Sequence, residues 1–254
     1  MLPIVDSNWS PASQYAATDC HILRAVAVQS AMPNAEVDRN LASLNQHAKT
    51  PGLGGLPNGI AAYLDIAAPD ALMRIEEYTV SDRVLGVNVV LNNASVINET
   101  LIKPCVDVLV SSQASIDISG DVENVTQFLK VAEHATELHI VCNLSCCSRA
   151  GNLLSIHDWP SLIRVLAAHE NVAVKITDPP AGEFRPAVDQ LTQSIQQLAS
   201  SIGIARIIFG SSVTDGNLPD NRHVWQYFDA ATRWASALER DNLFRENAVK
   251  TYRL

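Results

Sequence analysis

Lys175 stands in the run NVAVKIT, residues 171–177, between Val174 and Ile176. Alternate residues of a strand share a face, so Lys175 lines up with Ala173 and Thr177. A lysine on the inner face of a closed sheet is a buried cation, which needs a carboxylate partner. Asp6, closing PIVD, and Asp65, closing GIAAYLD, end two other apolar runs and are the candidate partners, with a neighbouring strand-end acceptor as the alternative. A carboxylate and an ammonium converging on one cleft define a chemistry. The carboxylate takes a proton from water, and the ammonium polarises the carbonyl under attack. Asp6, Asp65 and Lys175 are therefore the candidate catalytic residues. Neutral groups that can hold a substrate end similar runs: Asn8, Asn88, Asn143, Thr177, Ser211 and Ser212. Asn92, Asp117 and Ser119 fall at comparable positions. Together they suit a polar small molecule such as a sugar, a lactone or a carboxylate.

Each of these residues also has an ordinary role. Asp6 can simply cap or brace its strand. Asp65 and Asp117 fall near strand ends, where a solvated turn carboxylate is common. Cys142, Cys146 and Cys147 lie beside Arg149, which could lower a thiol's pKa. Their spacing is not that of a zinc site and no second Cys/His pair accompanies it, so plain reduced thiols are expected. His134, His157 and His169 fall near expected helix ends, where capping or surface roles prevail. The Gly-rich stretch 52–59 precedes a strand, whereas a phosphate-cradling loop joins a strand to a helix, so it reads as a turn.

The elements that would position these residues follow from the apolar pattern. Eight short β-branched runs occur, at Leu2–Asp6, Arg24–Ser30, Gly59–Ile66, Val84–Leu91, Ser115–Ser119, Leu138–Cys142, Val172–Thr177 and Arg206–Gly210. Helix-period segments fill most gaps: 35–49, 68–79, 98–110, 122–134, 157–169 and 184–202. The first crossover, 10–20, contains only a poor helix. Alternating strands and helices imply a parallel sheet. Eight units in 254 residues match an α/β fold of the (β/α)8 barrel type, a single domain spanning residues 1–254. An open doubly wound sheet is the alternative. In a barrel the carboxyl ends of the strands build the site, which is where the polar residues above fall.

Composition narrows the partners. The formal charge of −9, with 18 scattered Lys and Arg, argues against nucleic acid. No apolar run reaches the length of a membrane span. The start MLPIVDSNW lacks a signal-peptide pattern, and five cysteines do not form a secreted framework, so a reduced cytoplasmic protein is expected. Charged residues are 18%, below the usual share, which fits a homo-oligomer. Nothing in the pattern requires a cofactor.

The order of several short motifs resembles the amidohydrolase-related (amidohydrolase 2) family of barrel hydrolases, in its lactonase-like branch. The segments are PIVD at 3–6, GIAAYLDIAAP at 59–69, RVLGV at 83–87, NVAVKIT at 171–177, IIFGSS at 207–212 and the ending Asn247-Ala248-x-x-x-Tyr252. The resemblance implies a His-x-His metal pair after the first strand, where this chain has Asn8 and Ser10. It implies a histidine near Asn143, an arginine at Asn88 and a metal-binding or basic aspartate at Ser212. Amides and hydroxyls thus stand where the family's metal ligands are expected, and no bound metal is expected here. Two readings remain: a binding protein on a hydrolase scaffold, and a metal-independent hydrolase of a lactone or related carbonyl compound. Lys175→Met is expected to alter ligand binding more than the fold.

Overall fold

The computed structural model describes residues 2–4, 24–49, 56–91, 97–145, 159–177, 186–211 and 221–254. Eight strands carry the fold: β1 (Leu2–Ile4), β2 (Val26–Gln29), β3 (Gly59–Tyr63), β4 (Val84–Leu91), β5 (Ser115–Gly120), β6 (Ile140–Ser145), β7 (Val172–Thr177) and β8 (Ile207–Gly210). They form one sheet in chain order, each strand parallel to the next. Helices occupy the crossovers: α1 (Asn34–Lys49), α2 (Ala71–Thr79), α3 (Glu99–Ser111), α4 (Val122–Val131), α5 (Trp159–Ala167), α6 (Val188–Ile202) and α7 (Asn221–Ala231). After α8 (Ala237–Asp241) comes a π-helical turn, Asn242–Glu246, and then α9 (Asn247–Tyr252).

Two separate apolar clusters lie on the two sides of this eight-stranded (β/α)8 sheet. The large one joins outward residues of the strands, such as Val87, Val89, Ile116, Ile118, Cys142, Val174 and Phe209, to the helices. The small one holds Val26, Val28, Ala61, Val141, Ala173, Ile208 and Tyr252. Strand alternation explains the division: neighbours in sequence point to opposite sides, and both sides are covered. The helices bury one stripe each. α4 sends Val125, Phe128 and Leu129 into the outer cluster, each worth about 1.5–3 kcal/mol of burial. Its start is fixed by Asp121, whose side chain accepts from the Asn124 N–H at 2.7 Å.

Gly86 shows why the motif RVLGV tolerates no side chain at its fourth position. A Cβ there would meet Ser115 Oγ at 2.3 Å and the Ser115 carbonyl oxygen at 2.4 Å. Glycine lets β4 and β5 approach with Gly86 opposite Ser115.

Three expectations are refined. Asp117 is not a solvated turn carboxylate, because β5 continues past it to Gly120 and the residue is fully buried. Cys142 faces the outer cluster rather than the barrel interior, and burial pushes its thiol up to about 12. It therefore belongs to no reactive loop cluster; Cys146, Cys147 and Arg149 lie outside the described residues. His134 bridges the Val131 carbonyl and Asp107 at the end of α4, a surface role.

Candidate functional site

The inner faces of β4 to β7 carry the polar residues. Asn88 lies opposite Asp117 across the β4–β5 ladder, and Asn143 lies opposite Lys175 across β6–β7. In a barrel, side chains of alternate strands fill one interior layer, so residues of β5 and β7 meet over β6. Lys175 Nζ reaches Asp117 Oδ2 at 2.5 Å, with both side chains almost wholly removed from solvent. Burial pushes the Lys175 ammonium below its ordinary range, and the Asp117 carboxylate opposes that shift.

The third member of this set comes from the far end of the chain. The Tyr252 hydroxyl lies 2.9 Å from both Asp117 oxygens. Burial, and then the neighbouring carboxylate, push this phenol well above its ordinary range, so it remains a donor. α9 delivers it from the amino-terminal face of the barrel. Leu254 packs beside Gly59 at the start of β3, and Arg253 donates to the Gln113 carbonyl just before β5. Asn247 anchors the helix by donating to the carbonyls of Ile204 and Ile207, each at 2.8 Å. The Asn-Ala-x-x-x-Tyr ending thus has a physical sense. The amide holds the approach to β8, Ala248 packs on the inner cluster, and the tyrosine plugs the barrel from below.

Beside this set are two amides with unused capacity. Asn88 Nδ2 donates to the Gln29 carbonyl at 2.8 Å, which fixes which way its amide points. Asn88 Oδ1 and Asn143 Oδ1 are buried and, among the described residues, accept no hydrogen bond. Thr177 donates to the Leu144 carbonyl at 3.2 Å, and Ser211 is buried and engaged. Asp65 stands exposed just beyond β3, where its carboxylate accepts from the Ala67 N–H at 3.1 Å. Its charge raises the nearby Tyr63 phenol, after burial.

The expected inward lysine is therefore present, and among the described residues its carboxylate partner is Asp117, not Asp65. Asp65 ends its run in a turn open to water, whereas Asp117 sits mid-strand on an inner face. Asp6, Asn8, Ser10, Asn92 and Ser212 lie outside the described residues. The structure brings together Lys175, Asp117 and Tyr252, and sets Asn88 and Asn143 beside them. The role of Tyr252 is not legible in the sequence because its partner is 135 residues away; its place in the Asn-Ala-x-x-x-Tyr ending is the available signal.

The described donors do not suit a tightly held divalent ion. No group of three His, Cys, Asp or Glu among them could hold one. The buried carboxylate already faces an ammonium, and the other inward groups are neutral amides. Among the described residues, no helix is long and apolar enough to cross a membrane.

Comparison with known proteins agrees with this architecture. An amidohydrolase family model matches residues 25–254. The uncharacterized protein y4mH of Sinorhizobium fredii (strain NBRC 101917 / NGR234) is 23% identical over 212 residues, covering 79% of this chain and 71% of that protein. An amidohydrolase from Burkholderia multivorans, crystallised with zinc, superposes with a TM-score of 0.71 at 16% identity, covering 97% of this chain and 89% of that one. A candidate 2-pyrone-4,6-dicarboxylic acid hydrolase from Acinetobacter baumannii, crystallised with citric acid, gives a TM-score of 0.69 at 10% identity, covering 96% and 89%. Below 25% identity these superpositions speak for the fold alone. The family match, which takes in every described element from β2 to α9, shows that this chain belongs to the amidohydrolase family.

Proposed function

We propose that this protein binds a small polar molecule at the carboxyl ends of its barrel strands, on a hydrolase scaffold that no longer performs the family's metal-assisted reaction. One observation carries the reading: the buried Asp117 carboxylate is held between Lys175 and Tyr252. A general base must be reached by water or substrate, and Asp117 is reached by neither. The same contact occupies the ammonium that would polarise a carbonyl. Asn88, Asn143, Thr177 and Ser211 then serve as binding groups, with Asn8 and Ser212 joining them by position in the sequence.

A second reading keeps activity. Asp65 is a carboxylate at the mouth that water does reach, so it is the described candidate base for metal-independent hydrolysis. Hydrolysis of a panel of aldonolactones and aryl esters, with EDTA and with added zinc, separates the two. Ligand-induced shifts in melting temperature are measured in parallel. Binding without turnover is expected. Turnover lost in Asp65→Asn would establish the second reading, and zinc-dependent turnover would overturn both.

The homo-oligomer remains a proposal. Leu72 and Met73 on α2 and Leu101 on α3 are exposed apolar side chains on helices that pack together. Sedimentation equilibrium showing only monomer would refute it.

A further inference from the structure

We infer that the base of this barrel is a second binding site, an apolar sleeve ending in a carboxylate that takes a phenol, and that Tyr252 is its resident ligand, presented in cis by the last helix. This site lies at the amino-terminal face, apart from the mouth where binding is proposed.

The walls of the sleeve come from strand alternation. Inner residues of five strands, Val26, Ala61, Val141, Ala173 and Ile208, form one apolar cluster with Tyr252. Two of these wall residues are alanine, and their short side chains leave width for a ring. The Tyr252 ring fills that width and is only 2% exposed. At the inner end stands Asp117, wholly buried, with Lys175 on one of its oxygens. The Tyr252 hydroxyl lies 2.9 Å from each oxygen of that carboxylate. A sleeve of this kind rewards two properties in an occupant. The walls reward an apolar ring, by removing it from water. The end rewards an O–H donor, because hydrogen bonds to a charged acceptor are among the stronger ones. A phenol joins the two across a rigid ring.

The helix acts as the carrier of this group. α9 has six residues, too few to hold a helical shape in water on their own. Its place is therefore set by docking, and it buries two side chains. Asn247 ties its start to the carbonyls of Ile204 and Ile207. Tyr252, its last helical residue, enters the barrel, and Arg253 then turns the chain into the left-handed region at φ 53°. Lys250 and Arg253, on either side of the tyrosine, stay exposed. Cutting back the tyrosine side chain thus empties the sleeve while leaving its walls and its carboxylate in place.

The full-length chain carrying Tyr252→Ala is melted with phenol, benzene or anisole, alongside the parent. Phenol restores the ring and the donor, benzene the ring alone, and anisole a ring whose oxygen cannot donate. Tyr252→Ala should melt below the parent, and phenol at about ten times its dissociation constant should raise it by roughly 3–6 °C. Benzene and anisole should raise it clearly less, and the parent, whose sleeve is filled, should respond to none of the three. No response of the folded variant to phenol, or equal shifts with phenol and benzene, would overturn the inference. So would a parent that responds to phenol as the variant does. A second measurement decides the matter where Tyr252→Ala does not fold. Tyr252→Phe is compared with the parent in urea, and again in the background of Asp117→Leu with Lys175→Met, where the sleeve ends in apolar groups. Loss of the hydroxyl should raise the unfolding constant roughly tenfold or more in the parent, and about threefold or less in that background. The same factor in both backgrounds would overturn the inference.

Discussion

Lys175→Met is the most telling perturbation of the interior. Methionine nearly matches the lysine stem and removes the ammonium alone. Lys175 is 3% exposed and its partner Asp117 is 0% exposed. Removing one member of such a pair strands the other, at a cost of about 3–5 kcal/mol. Tyr252 still donates to the carboxylate, so the lower end, about 3 kcal/mol, is expected. For a chain of this size each kcal/mol moves the melting temperature by roughly 2–4 °C, giving a fall of about 6–12 °C. Asp117→Asn combined with Lys175→Met should recover much of the loss. The stranded charge is gone, and the new amide oxygen still accepts from Tyr252. Urea unfolding of parent, single and double variants at neutral pH decides the matter. A single variant within about 1 kcal/mol of the parent, or a double variant no more stable than the single, would refute the reasoning. A loss of this size would run against the expectation that Lys175→Met acts on ligand binding more than on the fold, since the pair braces β5 against β7.

Other perturbations test other parts of the structure. Tyr252→Phe removes a donor to a buried carboxylate and should cost about 1.5–3 kcal/mol in urea unfolding, with little change in helix content. Gly86→Ala should destabilise by about 1–3 kcal/mol or more, because its Cβ meets the Ser115 backbone. Gly210→Ala should be near neutral, since its nearest neighbour would be Lys175 Cδ at 3.4 Å. At alkaline pH the buried Cys142 thiol, raised from 9.0 to about 12, keeps its proton when the unfolded chain has lost it. Its stabilising contribution is intact below pH 9 and is lost as pH rises towards 12. Cys142→Ala should therefore flatten the alkaline limb of stability against pH, by up to about 1.4 kcal/mol per pH unit.

The strands were legible because each is a short apolar run with a definite period. Val84–Leu91 and Val172–Thr177 have the bounds read from the sequence. The helix bounds were less legible: the segment expected from 68 begins at Ala71, after Asp70, whose side chain makes no capping bond. Alternation also placed Lys175 on the inner face correctly. Its partner was not legible, because register and barrel shear decide which strand supplies the carboxylate. Sequence position favoured Asp65, at the end of a run, over Asp117, inside one. Yet a carboxylate flanked by Ile116 and Ile118 in a buried strand must be satisfied from the interior, and that flanking was the available signal.

The same logic bears on how a catalytic barrel can change its chemistry without losing its fold. Asp117, Lys175 and Tyr252 form a brace between β5, β7 and the last helix, and Asn247 ties that helix to β8. None of these contacts needs a metal or a substrate. The brace thus lies in the middle and at the amino-terminal face, away from the carboxyl ends of the strands where binding is proposed. On the proposed reading, Asn88 and Asn143 act as binding groups and leave the brace intact. A family match over residues 25–254 and the proposed change of binding groups are compatible for that reason.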